Sequence, residues 1–225
     1  MTTSSFKSRS VRADPLAYRS STPRRLTFSP LAWLKFQFLC HAGPTEVAAF
    51  GLASAEDPLY LDEILVLRQQ TTAVTVAFDD EAVADLFDRM VDQGIAPERF
   101  ARVWLHTHPG VSVEPSGVDE ETFHRVFCGC DWAVMGILGR TGNTFARLRF
   151  NTGPGGSLNL PVAVDWTDWP RHAPELAQQV ASWEQEYCTL VNAVPNFVGD
   201  LAPLKAADEW WNDPFFHVGE HNAFE

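Results

Sequence analysis

The residue types best suited to chemistry are gathered in one segment. His106-Thr107-His108-Pro109 is followed, after seven positions counted from Pro109 to Pro115, by Ser116, and three residues later by Asp119. On an extended strand, residues i and i+2 point to the same side, so the imidazoles of His106 and His108 converge. Pro109 biases His108 toward an extended backbone. Asp119 heads a predicted helix. The loop before it, stiffened by Pro109 and Pro115 and relaxed by Gly110, swings that helix end back over the strand. Two ring nitrogens and one carboxylate oxygen result. This donor set suits Zn2+ and leaves a fourth coordination place for water, as catalytic sites require. No thiolate belongs to the set, which argues against a purely structural zinc.

Hydrolysis at such a site gains from a base. Glu46 opens an apolar stretch, where a carboxylate is costly without a partner or a role, and it is the candidate general base. Ser116 is placed to donate a hydrogen bond to a carbonyl oxygen as that oxygen gains charge. Taken singly these features are weak. His-x-His occurs on many strands, and Ser116 with Asp119 also reads as a helix capping box. Their order, and predicted elements that suit each role, carry the assignment.

Three other groupings are weaker. His217-Val218-Gly219-Glu220-His221 fits an inverted zincin pattern, but Pro214 and Gly219 disrupt the helix that pattern needs. His124, five residues past Asp119, is either an orienting partner of a ligand or a histidine on a helix surface. Cys128-Gly129-Cys130 reads as a turn between a helix and a strand, and the P-C-x-x-C signature of zinc deaminases is absent.

The elements that must position these residues are legible as a mixture of strands and helices. Ser29-Pro30 reads as an N-cap and first helical residue, with Leu31, Leu34, Phe38 and Leu39 at helical spacing and Gly43-Pro44 as the break. Strands are predicted over 46–53, 59–67, 72–78, 102–108, 132–138, 145–150 and 158–164, with a Gly142-Asn143 turn. A helix starting at Asp79 turns Val83, Leu86, Phe87, Met90 and Val91 toward the core and ends at Gly94. Another covers 119–127. A long amphipathic helix runs over 174–194, with Leu176, Val180, Trp183, Tyr187, Leu190 and Val191 on one side. Mixed elements in one domain predict an α/β (α+β) fold, a curved mixed sheet flanked by helices. Residues 1–28 read as a disordered or loosely docked basic tail, 29–169 as the catalytic domain, and 170–225 as an amphipathic helix with an aromatic and acidic extension.

Charge and composition exclude several classes of function. Residues 1–29 hold six basic side chains against Asp14 alone, a charge of +5, so the remainder carries −17 of the total −12. An acidic body argues against nucleic-acid binding and suits a partner with a basic face. No apolar run is long enough to span a membrane, and the N-terminus lacks the apolar stretch of a secretory signal. The four cysteines, Cys40, Cys128, Cys130 and Cys188, fit neither a zinc knuckle nor a disulfide framework. They read as reduced thiols, and the protein is expected in the cytoplasm.

The pattern Glu46, a long gap, His-Thr-His, seven residues beginning with Pro109, Ser116, two residues and Asp119 resembles the signature of the JAMM metalloproteases, the JAB/MPN domain family. Glu46-Val-Ala-Ala-Phe-Gly51-Leu52 is similar to that family's glutamate-bearing strand, and the helix ending in His41-Ala42 is similar to its first helix. The resemblance covers about residues 29–165. It implies a cytidine-deaminase-like mixed sheet and a Zn2+ cofactor on His106, His108 and Asp119. It further implies Glu46 as general base and Ser116 as stabiliser of the tetrahedral intermediate. The implied substrates are peptide or isopeptide bonds after the tail of a ubiquitin-like protein. The implied partners are that protein or its conjugate, with E1/E2-like enzymes of the same pathway. Alternatives from the same resemblance are a small-peptide or sulfur-carrier-processing metallopeptidase and a non-catalytic MPN scaffold.

Overall fold

The computed structural model describes residues 24–194. The basic stretch before them, the aromatic residues Trp210, Trp211, Phe215, Phe216 and Phe224, and the His217–His221 motif lie outside the described residues. The chain runs β1 (Leu26–Phe28), α1 (Pro30–His41), β2 (Ala48–Ala53), β3 (Tyr60–Val66), β4 (Gln69–Thr71), β5 (Val76–Phe78), α2 (Asp80–Asp92) and α3 (Pro97–Phe100). There follow β6 (Val103–His108), α4 (Gly117–Phe127), β7 (Trp132–Gly139), β8 (Thr144–Phe150), β9 (Gly156–Asn159), β10 (Val162–Val164), α5 (Trp169–His172), α6 (Leu176–Leu190) and β11 (Val191–Ala193).

Eight strands form one mixed sheet in the order β10-β1-β3-β2-β6-β7-β8-β9, and β11-β4-β5 form a small second sheet. The central strands β2, β6 and β7 bury both faces, so their alternate residues feed two cores. Val47, Ala49, Val103, Leu105, Val134 and Leu138 face α1 and α6. Ala48, Phe50, Trp104, Ala133, Met135 and Ile137 face α2, α3 and α4. α1 is buried on nearly every side, even at Lys35 and Gln37. Such a helix must lie between layers rather than on a surface. The Lys35 ammonium escapes isolation by donating to the Ile64 carbonyl at 2.8 Å and pairing with Glu186 on α6 at 2.6 Å.

Several expectations need correction. Residues 26–28 are not a tail: Leu26 and Phe28 are fully buried, and β1 pairs in parallel with both β3 and β10. The strand predicted over 158–164 is two strands on opposite edges of the sheet, β9 beside β8 and β10 beside β1. Pro161 lacks the donor a continuous ladder requires; its carbonyl instead accepts the Leu26 N–H at 2.9 Å, while the Leu160 N–H donates to Ala146 at 2.9 Å. Three Cα steps, about 11 Å, link Asn159 to Val162, so the sheet is curled until its edges almost meet.

Of the strand predicted over 72–78 only Val76–Phe78 is extended; as β5 it is the second arm of a hairpin whose first arm is β4, and Thr72 and Thr75 close the turn between them through their side chains at 2.8 Å. The long C-terminal helix stops at Leu190. Val191 begins β11, which pairs in parallel with β4. Val91 on α2 is 54% exposed, so only Leu86 and Met90 of its predicted stripe are fully buried. A boundary near residue 170 does not divide the core. Leu176, Val180, Trp183, Tyr187 and Val191 belong to the same buried cluster as α1 and the central sheet. Among the described residues no helix is long and apolar enough to cross a membrane.

Candidate metal centre

His106 and His108 lie at the C-terminal end of β6, on the face that also carries Trp104. Trp104, two residues earlier, stacks on His106 with ring centroids 4.4 Å apart and planes inclined by 29°. Phe123 of α4 stacks against Trp104 with ring centroids 6.3 Å apart. His106 is fully buried, and its ring is thereby fixed. Thr107 faces the opposite way. Its hydroxyl accepts the Val47 N–H at 2.9 Å, and its own N–H donates to the Val47 carbonyl at 2.9 Å.

That pair of hydrogen bonds to Val47 brings Glu46 into the site. β2 and β6 are antiparallel with Ala48 opposite His106. Continuing the register by two residues sets Glu46 opposite His108 on the same face, where cross-strand side chains meet. Glu46 Oε1 is 3.9 Å from His108 Nε2. β3 has ended by this point. Instead the Gln69 side chain serves as a strand partner, accepting the Ala48 N–H and donating to the Ala48 carbonyl, each at 2.8 Å.

Asp119 arrives on α4. Ser116 is the N-cap and Asp119 the third helical residue of a capping box: Ser116 Oγ accepts the Asp119 N–H at 3.1 Å, and Asp119 Oδ2 accepts the Ser116 N–H at 2.7 Å. The cap therefore orients the carboxylate. Oδ1 lies 3.4 Å from His106 Nε2, and Oδ2 lies 3.6 Å from His108 Nε2. α4 is in turn held on the sheet by Arg147, which grips Glu120 with two hydrogen bonds of 2.7 Å. The loop returning from His108 passes close over β7. Gly139 permits this, since a Cβ there would sit 2.9 Å from the Val113 side chain.

The donor atoms fit a metal ion. His108 Nδ1 bonds the Ser112 carbonyl at 2.9 Å, which leaves Nε2 to face Asp119 and Glu46. Among the described residues, the buried atoms His106 Nε2, His108 Nε2 and Glu46 Oε2 have no hydrogen-bond partner. Buried polar atoms without partners are rare and call for an explanation. Two metal–ligand bonds of the length zinc makes to nitrogen and oxygen, meeting at a tetrahedral angle, separate their donors by about 3.4 Å. The spacings at Asp119 match this. His106, His108 and Asp119 form the one group of at least three potential ligands among the described residues, and it could hold a metal ion.

Burial and the neighbouring charges shift all four groups. Burial pulls His106 below its ordinary pKa and keeps it neutral, the form that binds metal. For His108 burial acts in the same direction but is outweighed by Asp119, the Ser112 carbonyl and Glu46, which hold it above the usual value. Burial opposes the charged form of Asp119, yet the two imidazoles and Ser116 keep its carboxyl far below the usual range. Glu46 is pushed up to about 7, mainly by burial, with His108 lowering it and Asp119 raising it.

All five predicted site residues, Glu46, His106, His108, Ser116 and Asp119, are thus brought to one end of the sheet. His124 is not among them; it is exposed and faces Arg149, 3.2 Å away. Cys128 and Cys130 flank the turn after α4, and their thiols are free. Thr107, Trp104 and Gln69 complete the site without having been singled out. Thr107 and Trp104 were readable from strand alternation, as the residue that must face away from the two histidines and the residue that must lie beneath them. No local signal marks Gln69. No protein-family model matches the chain, and no curated protein matches it.

Proposed function

We propose that this protein is a zinc-dependent hydrolase of the JAMM (JAB/MPN) type. It cleaves peptide or isopeptide bonds after the C-terminal tail of a ubiquitin-like protein, on a sheet of the cytidine-deaminase-like JAB/MPN kind. One observation carries the reading: Glu46 lies opposite His108, while Nε2 of His106 and Nε2 of His108, both without a hydrogen-bond partner, stand with the Asp119 carboxylate at metal-ligand spacing. Zinc bound there supplies Lewis-acid polarisation of the scissile carbonyl and acidifies water. Glu46 accepts the proton on its carboxylate. Glu46 is buried and faces His108 Nε2 at 3.9 Å, so it is the group at hand to take that proton and return it. Ser116 already accepts the Asp119 N–H, so its hydroxyl hydrogen remains to donate to the oxygen that gains charge. Asp119 and the Ser112 carbonyl hold His108 in one orientation, and Trp104 does the same for His106.

The test is cleavage of a ubiquitin-like protein extended through its C-terminus, with and without a chelator. Cleavage should stop on chelation, return with zinc, and be absent in Glu46→Ala. Activity that survives chelation rejects the metal, and activity that survives in Glu46→Ala rejects the base.

A further inference from the structure

The lead into Glu46 is braced from the far side of the molecule by the C-terminal helix. Gly43, Pro44 and Thr45 connect the end of α1 to the base. Tyr187 of α6 is 8% exposed, and its hydroxyl lies directly on Gly43: a Cβ built at Gly43 would be 2.1 Å from Tyr187 Oη and 3.2 Å from its Cζ. Burial raises the pKa of the same hydroxyl, and the neighbouring Thr45 side chain acts in the opposite direction. Thr45 is itself buried and shares a 2.8 Å hydrogen bond with Thr71 Oγ1. Thr71 is the last residue of β4, where β11 pairs Ala193 with it and the Val194 N–H donates to its carbonyl at 2.8 Å. The next carbonyl, that of Thr72, accepts the N–H of Glu46 at 2.9 Å. α6 and β11 therefore close on both the residues that precede the base and the strand that receives it.

We propose that Tyr187 is a positioning residue for Glu46. Its ring and hydroxyl hold Gly43–Thr45 in the path that sets the carboxylate opposite His108. Gly43 is required because any side chain there would displace the hydroxyl. The geometric part stands alone, whereas the effect on turnover rests on the hydrolase reading above.

Tyr187→Phe should lower kcat by about tenfold with KM changed by less than about twofold, since a small misplacement of a reacting group is felt in turnover. Zinc affinity should be unaltered, because the ligands sit on β6 and α4. In a Glu46→Gln background the same substitution should cause no further loss. Glu184→Gln, exposed on α6, serves as the control with unchanged activity. A readout without substrate uses Co2+ added to chelator-stripped protein. The visible absorption of Glu46→Gln should differ from wild type, and Tyr187→Phe should move part of the way toward it. Gly43→Ala should do the same, and less so when combined with Tyr187→Phe, which leaves Cζ, at 3.2 Å, as the nearest atom of that ring. Wild-type kcat together with a wild-type cobalt spectrum in Tyr187→Phe overturns the proposal, as does an equal proportional loss in the Glu46→Gln background. If the cobalt results hold while the wild type cleaves no ubiquitin-like fusion, the hydrolase reading fails and the positioning role stands.

Discussion

Replacing Glu46 with Gln should stabilise the metal-free protein, and only at high pH. Glu46 is 5% exposed, and its carboxyl is pushed from an ordinary 4.5 up to about 7. A folded-state value above the unfolded one means that the fold favours the neutral form. Its contribution is intact below pH 4.5 and is lost as pH rises through about 7. At about 1.4 kcal/mol for each pH unit of that span, ionised Glu46 costs the metal-free fold about 3 kcal/mol at pH 8.5, and less than about 1 kcal/mol at pH 5. Gln keeps the shape and never ionises. Urea unfolding of chelator-treated wild type and Glu46→Gln at the two pH values measures the difference directly. The gap should grow with pH and close when zinc is added, because a nearby cation reverses the preference for the neutral form. An equal gap at both pH values, or a less stable Glu46→Gln at pH 8.5, refutes the reasoning.

Zinc should stabilise the stripped protein: at a free concentration about a thousandfold above Kd the gain is about 4 kcal/mol. For a fold of this size that is a rise in Tm of roughly 8–16 °C, and calorimetry should show none of it in His106→Ala. Thr107→Val keeps the side-chain shape but strands the buried Val47 N–H, so chemical unfolding should report a loss of about 1–3 kcal/mol. Metal affinity should survive in that variant, since Thr107 points away from the ligands. Glu186→Gln removes the partner of buried Lys35. The loss should be about 2–3 kcal/mol, under the ~3–5 typical of fully buried pairs, because Glu186 is 26% exposed and Ile64 still accepts from Lys35. An unfolding midpoint equal to wild type would show that α6 is not anchored to α1 by this pair.

The sequence by itself determined what depends on short separations. Strand alternation aims His106 and His108 together, Ser116 and Asp119 cap their helix across three residues, and Pro30 starts α1. These follow from backbone geometry within a few residues and need no distant partner. What only the tertiary structure decided is non-local. The Glu46–His108 meeting joins residues some sixty positions apart, and it exists because the β2–β6 register, pinned by Thr107 on Val47, admits one alignment. Likewise, segment 158–164 divides between two sheet edges because the sheet curls, and Val191–Ala193 leaves a helical pattern because the edge of β4 offers unpaired backbone groups. Strand pairing is a choice among remote partners, made by burial and hydrogen bonding summed over the whole fold, so local pattern alone does not encode it.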